Sequence, residues 1–214
     1  MRCFWISLVL LSSGVAAQSD GPPLNTSGLM LEAHGAAVGY GLDAAFNPEP
    51  AAPCCEAIAS PASGSMAFGL GLGVGAGYGI TRTVALVGGA DLSYVFSDFF
   101  GETGTFDQPA RAATLDLGLR LHILPQPDYV PYAEVMASRF YLLDDAGGFR
   151  GTGLTLGAGF LSTLSERLAL RLGLRGTYGA YDTLIDDGDA EDLGFEFDAL
   201  NVRGHVGVVY FPLR

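Results

Sequence analysis

The chain contains seven short segments in which apolar residues alternate with polar or small residues, and an eighth that alternates less regularly. Between Leu200 and Tyr210, for example, the even-numbered positions are apolar or glycine, whereas the odd-numbered positions include Asn201, Arg203 and His205. A period of two places such sets on opposite faces of a β-strand. The pattern therefore predicts eight strands, each with one apolar and one polar or small face.

Long loops and short turns separate these strands in alternation, and no helical pattern is available to cover the apolar faces. A sheet of this kind closes naturally into a transmembrane barrel, with apolar residues outward and polar residues inward. The fold class we predict is all-β, an eight-stranded antiparallel up-and-down transmembrane barrel with a polar, plugged lumen. The predicted strands cover about residues 28–40, 65–79, 83–96, 111–123, 129–142, 150–161, 168–181 and 197–211, and the predicted long loops cover about 41–64, 97–110, 143–149 and 182–196.

The fifth strand has the least regular pattern, so its sequence leaves two facings open. We place Glu134 and Ser138 inward, which leaves Arg139 near the outer rim, where its long side chain can reach the interface. A β-bulge in this strand would reverse part of that assignment.

A soluble lipocalin-like barrel is the main alternative, with apolar residues inside and polar residues outside. Aromatic residues favour the membrane barrel, because they fall near both ends of the strands, as expected of side chains at two membrane interfaces. These aromatic residues are Tyr78, Tyr132, Phe160 and Tyr210 near the short turns, and Phe68, Tyr94, Phe96, Tyr141 and Tyr178 near the long loops.

The first residues have the pattern of a secretory signal peptide. Arg2 precedes an apolar run that is too short to span a bilayer, and small residues at Val15–Ala17 precede a predicted cleavage site. An N-terminal membrane anchor is the alternative. We expect a signal peptide at 1–17, a short lead at 18–27 and a barrel at 28–214.

Composition restricts the partners of the chain. Apolar residues make up 49% of the sequence and the net charge is −12, with 11 basic residues, all of them arginine. Nucleic-acid binding needs a basic surface, so we expect no nucleic-acid partner. Cys54 and Cys55 are adjacent in a predicted loop, which gives no disulfide framework.

The layout as a whole resembles the small eight-stranded outer-membrane barrels of the outer membrane protein A and outer membrane protein X type. The resemblance covers residues 28–214 and is one of pattern rather than of a specific motif. One departure is that many such barrels end in phenylalanine, whereas here Phe211 is followed by three further residues. The resemblance implies a location in the outer membrane of a Gram-negative-type bacterium.

The inward positions carry the candidate chemistry. Arginine suits such an interior because its planar guanidinium binds carboxylates through two hydrogen bonds and stays charged. An eight-stranded barrel leaves an interior that side chains can fill, so we predict a structural charge network that plugs the lumen. Its predicted members are Glu32, His34, Asp91, Asp116, Arg120, His122, Glu134, Arg171, Arg175, Arg203 and His205.

We expect a structural or surface-interaction role without catalysis and without a cofactor. The predicted partners are outer-membrane lipids and an extracellular partner at the loops 41–64 and 182–196, with a monomer favoured. A small gated pore is the first alternative, because a polar lumen can rearrange. A lipid-modifying enzyme is the second, but the three histidines lie several residues along the strands from Ser93 and Ser138, beyond hydrogen-bond reach.

The fourth predicted loop is strongly acidic and offers a weak candidate for calcium binding. Oxygen ligands at close spacing can hold Ca²⁺, although the spacing is not that of an EF-hand. The alternative is a solvated acidic loop, which is the common role of like-charge blocks. The candidate ligands are Asp186, Asp187, Asp189, Glu191 and Asp192.

Overall fold

The chain folds into a single closed antiparallel sheet. The computed structural model describes residues 26–43, 65–96, 110–123, 128–143, 147–186 and 189–212. Each strand is antiparallel to the next and β8 pairs with β1, which confirms the predicted eight-stranded barrel. The strands are β1 (Gly28–Asp43), β2 (Ser65–Gly79), β3 (Val84–Val95), β4 (Ala110–His122), β5 (Tyr129–Leu143), β6 (Gly147–Ser165), β7 (Leu168–Asp186) and β8 (Asp189–Tyr210).

No helix within the described ranges is long and apolar enough to cross a membrane. The predicted signal peptide, most of the loops at 41–64 and 97–110, and both Cys54 and Cys55 lie outside the described residues.

The prediction of a long loop at 182–196 is wrong. β7 continues to Asp186 and β8 begins at Asp189, and the two strands pair from Asp186 opposite Asp189 to Thr183 opposite Asp192. The acidic residues have low strand propensity, and they obscured the strand pattern there. The signal that was missed is the alternation of Leu193, Phe195 and Phe197 with polar or small residues, although its apolar positions are odd-numbered and those from Leu200 onward are even-numbered. The third predicted loop, 143–149, is likewise shorter, because β5 ends at Leu143 and β6 begins at Gly147.

The β7–β8 hairpin extends beyond the closed part of the barrel. The β8 ladder with β1 begins at Asp198, opposite Asp43. Before that point, Phe197 and residues 189–192 are paired with β7. A register irregularity between Tyr181 and Thr183 marks the base of this extension.

The outward face of the barrel is apolar. Leu72 and Leu92 are 74% and 69% exposed, and large apolar residues are exposed on every strand. Exposed aromatic residues lie at both ends of the barrel, as predicted. Two residues of the predicted set differ: Tyr132 is buried in the lumen, and Tyr141 is half-buried. The exposed aromatic residues are Tyr78, Tyr129, Phe160 and Tyr210 near the short turns, and Phe68, Tyr94, Phe96 and Tyr178 at the other end.

β5 keeps one facing throughout its length. Its ladders with β4 and β6 contain no register shift, so no bulge reverses its two faces. Glu134 and Ser138 are buried, and Arg139 is exposed on the outer face.

The lumen is filled by three layers of side chains. One apolar cluster, the lower cluster, closes the end with the short turns and includes Met30, Tyr132, Met136 and Phe211. A second, the upper cluster, closes the opposite end and includes Val38, Tyr40, Phe140, Leu142 and Tyr181. The buried charged residues lie between these two clusters.

Candidate functional site

The middle of the lumen contains four carboxylates and four guanidinium groups, all at most 9% exposed. Alternation along the strands brings them together, since each lies on the inward face of its own strand. Glu32 lies on β1, Asp91 on β3, Asp116 and Arg120 on β4, Glu134 on β5, Arg171 and Arg175 on β7, and Arg203 on β8.

Arg120 and Arg171 share the carboxylate of Glu32. Arg120 donates to both of its oxygens, and Nη1 of Arg171 donates to Oε2 at 2.5 Å. Both guanidinium groups also donate to Oε1 of Glu134, at 2.9 Å from Arg120 and 3.1 Å from Arg171. Two cations and two anions therefore neutralise one another at the lower side of the network.

Tyr132 forms the boundary between this charge cluster and the lower apolar cluster. The Cζ atom of Arg120 lies 4.8 Å from the centre of the tyrosine ring, and that of Arg171 lies 5.5 Å away. Nε of Arg171 also donates to the phenolic oxygen at 2.9 Å. The ring thus offers its π face to both cations and its oxygen to one of them.

Arg175 and Arg203 connect the remaining carboxylates. Arg175 contacts Oε2 of Glu134 at 2.8 Å and Oδ2 of Asp116 at 3.3 Å. Nη1 of Arg203 lies 2.7 Å from Oδ2 of Asp91 and 2.9 Å from Oδ2 of Asp116. All eight charged groups consequently belong to one continuous network.

A relay of hydroxyl groups extends the network. Ser138 donates to Oδ1 of Asp116 at 2.6 Å, and because a hydroxyl carries one hydrogen, Thr155 must donate to Ser138 at 2.5 Å. Thr177 then donates to Thr155 at 2.5 Å and accepts from Nη2 of Arg203 at 3.0 Å. Every strand except β2 thus contributes a side chain to the network.

The three histidines differ in their surroundings. Nε2 of His34 lies 2.5 Å from Oδ1 of Asp91, so His34 joins the network. His122 and His205 are buried in the lumen, and neither ring nitrogen of either one has a hydrogen-bond partner among the described residues. His205 packs edge-on against His34, with the ring centres 4.7 Å apart. The two histidines therefore share the lumen with the predicted network without bonding to it.

The candidate calcium ligands lie at the tip of the β7–β8 hairpin. Asp187 lies outside the described residues, and the structure describes only the backbone of the other four, Asp186, Asp189, Glu191 and Asp192. That backbone is a paired strand ladder rather than the open loop on which the calcium hypothesis depends.

Sequence reasoning missed the two apolar clusters that close the lumen. The alternating pattern of β1 does indicate the upper cluster, because Val38 and Tyr40 lie on the same inward face as Glu32 and His34. It was overlooked because apolar residues in a membrane barrel are most simply assigned to the lipid face.

Comparison with solved structures identifies the same architecture. Neisserial surface protein A is similar over 86% of this chain and 97% of its own, with a TM-score of 0.54 and 14% identity. OprG from Pseudomonas aeruginosa is similar over 89% and 97%, with a TM-score of 0.52 and 11% identity. The outer membrane protein AlkL is similar over 91% and 95%, with a TM-score of 0.55 and 12% identity.

No protein-family model matches the chain, and no curated protein matches it in sequence. At this level of identity the likeness is one of fold. Together with the apolar outward face and its two aromatic ends, it shows that the chain has the fold of the small eight-stranded outer-membrane β-barrels.

Proposed function

We propose that this barrel is a non-conducting and non-catalytic scaffold of the outer membrane, which holds its extracellular segments for contact with a partner. The observation that carries the proposal is the three-layered filling of the lumen. A solute would have to displace the lower cluster, the ion network and the upper cluster in turn.

The ion network is the most resistant of these layers. Each of its guanidinium groups contacts at least two carboxylates, so moving one group leaves several buried charges without partners. Breaking a single buried pair typically costs about 3–5 kcal/mol. The cavity between Tyr40, Phe140 and Tyr181 measures about 10 Å³, the space of one water molecule.

The side-chain contacts also favour a role without catalysis. Hydrolysis by a serine or threonine requires an adjacent base within hydrogen-bond reach. Five of the six histidine ring nitrogens have no hydrogen-bond partner among the described residues, and the sixth binds Asp91. Ser138 donates to a carboxylate and accepts from Thr155, so its oxygen is held inside the network.

The extended β7–β8 hairpin is the segment best placed for contact outside the membrane. It lies at the end of the barrel opposite the short turns, which in bacterial barrels is the extracellular end. Asp182, Asp186, Asp189, Glu191 and Asp192 all fall on this hairpin, so a partner that binds here would be cationic. The exposed apolar face binds membrane lipid, and we favour a monomer.

Conductance of the purified chain in a planar bilayer tests the main proposal. We expect no steady channel from the parent protein. A variant in which Arg120 and Arg171 are both replaced by alanine serves as the comparison, because it removes half of the cations in the middle layer. Nanosiemens channels from the parent would instead establish the gated-pore alternative.

Two further measurements test the other parts of the proposal. Lipids extracted from cells with and without the protein should give identical mass spectra, and a lipid product that depends on the protein would establish an enzyme. An epitope tag inserted between Asp187 and Gly188 should be detected on intact cells. Detection only after permeabilisation would place the hairpin in the periplasm.

A further inference from the structure

We propose that His34, Asp91 and His205 form a binding site for a first-row transition-metal dication such as Zn²⁺, which links the two terminal strands of the barrel inside the lumen. The three residues each offer a ligand atom, and these atoms all lie within 4.8 Å of one another. Two imidazoles and one carboxylate are the donor set of many protein zinc sites, which leave the fourth position for water.

The burial of the three side chains is what sets this cluster apart from a surface group of acids. His34, Asp91 and His205 are 7%, 2% and 2% exposed. Both ring nitrogens of His205 and Nδ1 of His34 have no hydrogen-bond partner among the described residues. A buried polar group without a partner destabilises the fold, so a ligand that satisfies the His205 nitrogen has a clear thermodynamic basis.

The backbone of β2 provides the space for the site. Gly73 lies opposite His34 in one ladder and opposite Asp91 in the other, so the two side chains must meet across it. A Cβ atom at position 73 would overlap both Nε2 of His34 and Oδ1 of Asp91. His205 reaches the same place from β8, where it lies opposite Ala36, two residues beyond His34.

Asp91 can serve a metal without leaving the ion network. Its Oδ1 contacts His34, whereas its Oδ2 lies 2.7 Å from Nη1 of Arg203. The arginine therefore orients the carboxylate as an outer-shell partner, an arrangement typical of metal sites.

Binding displaces the hydrogen that His34 shares with Asp91. A carboxylate only accepts hydrogen bonds, so in the metal-free protein Nε2 of His34 carries the hydrogen donated to Asp91. When Nε2 binds the metal, that hydrogen moves to Nδ1 of a neutral ring, or leaves as a proton if Nδ1 already carries a hydrogen. The metal then takes the place of the shared hydrogen between Nε2 and Oδ1.

The position of the site predicts what the metal would do. His34 is on β1 and His205 is on β8, the two strands whose pairing closes the barrel. A metal bound to both adds a link across this closing seam. We therefore expect zinc to raise the unfolding temperature of the barrel. The measure is the incubation temperature, before electrophoresis, at which the band of the compact folded form disappears from the gel.

The test uses the full chain without a histidine tag, with Cys54 and Cys55 replaced by serine so that their thiols cannot bind zinc. This parent is freed of metal with a chelator and refolded in detergent with Zn²⁺ present, which removes any barrier to entry. Bound zinc is then measured after desalting, and Co²⁺ in place of zinc reports the ligand geometry through its visible absorption.

His205→Asn is the decisive variant and His122→Asn is its matched control. His122 is also a lumen histidine without a hydrogen-bond partner among the described residues, but it lies outside the site. We expect one zinc per folded parent barrel, the same for His122→Asn, and affinity weaker by at least about tenfold for His205→Asn. His34→Gln provides a second ligand variant if His205→Asn fails to fold. Absence of bound zinc from the folded parent, or equal binding by the parent and a folded ligand variant, would overturn the proposal.

Discussion

Arg203 on β8 donates a 2.7 Å hydrogen bond to Asp91 on β3, and these two strands share no backbone ladder. The bond crosses the lumen and joins two strands that lie three positions apart around the barrel wall. Arg203 also contacts Asp116 on β4. The side chains inside the barrel therefore link strands that share no ladder, in addition to filling the lumen. The stability of the barrel should therefore depend on the side chains inside it as well as on its strand ladders.

Arg203→Ala tests that dependence. The variant leaves Asp91 and Asp116 with fewer partners in a buried setting, so we expect a loss of about 3–5 kcal/mol in the free energy of unfolding. The measurement is urea unfolding of the barrel refolded in lipid vesicles. Arg82→Ala is the control, because Arg82 is exposed in the turn between β2 and β3. Equal resistance of Arg203→Ala and the parent would mean that the guanidinium group is solvated.

The positions of the charged residues could be predicted because a strand has a side-chain period of two. Once Leu117 and Leu119 are assigned to lipid, Asp116 and Arg120 must face the lumen. The choice of partners could not be predicted in this way, because it depends on the stagger between strands. Arg120 contacts Glu32, which is on a strand that does not pair with β4.

Gly73→Ala tests how closely the lumen is packed around β2. A Cβ atom there would overlap His34 and Asp91, so we expect a loss of about 1–3 kcal/mol in the free energy of unfolding, as is usual for overpacking. Gly176→Ala is the matched control, because a Cβ atom at that position meets no other atom within 4 Å. A Gly73→Ala barrel as stable as the Gly176→Ala barrel would show that the side chains around β2 move aside freely.

The glycines of β2 also illustrate what the sequence shows and what it conceals. Six glycines, from Gly69 to Gly79, occupy alternate positions, which indicates a crowded inward face. The particular side chains that fill the space are set by the ladders with β1 and β3, and these place His34 and Asp91 on either side of Gly73. The alternating glycines predict that β2 leaves space on its inward face. Only the register with β1 and β3 identifies the side chains that fill this space.

Leu117→Arg tests the assignment of the lipid face. Leu117 is 62% exposed near the middle of β4, and a charge at the bilayer midplane costs about 2–4 kcal/mol in the free energy of unfolding. Ile80→Arg is the control, because Ile80 is equally exposed but lies at the turn after β2, where the cost falls to about 0–1 kcal/mol. Equal costs at the two positions, measured by unfolding in vesicles, would contradict the depth assigned to them.

A spin label distinguishes the lipid face from a packed interior, which the arginine substitution alone cannot do, since both environments penalise a charge. The label is attached to Leu117→Cys in a chain whose Cys54 and Cys55 are replaced by serine. In the membrane we expect rapid collisions with oxygen, which concentrates in lipid, and protection from a water-soluble nickel reagent. The same label at Arg82→Cys, in an exposed turn, should show the opposite preference. A label at position 117 that is immobile and shielded from both reagents would mean that the apolar face is buried in protein, and the inside and outside of every strand would have to be exchanged.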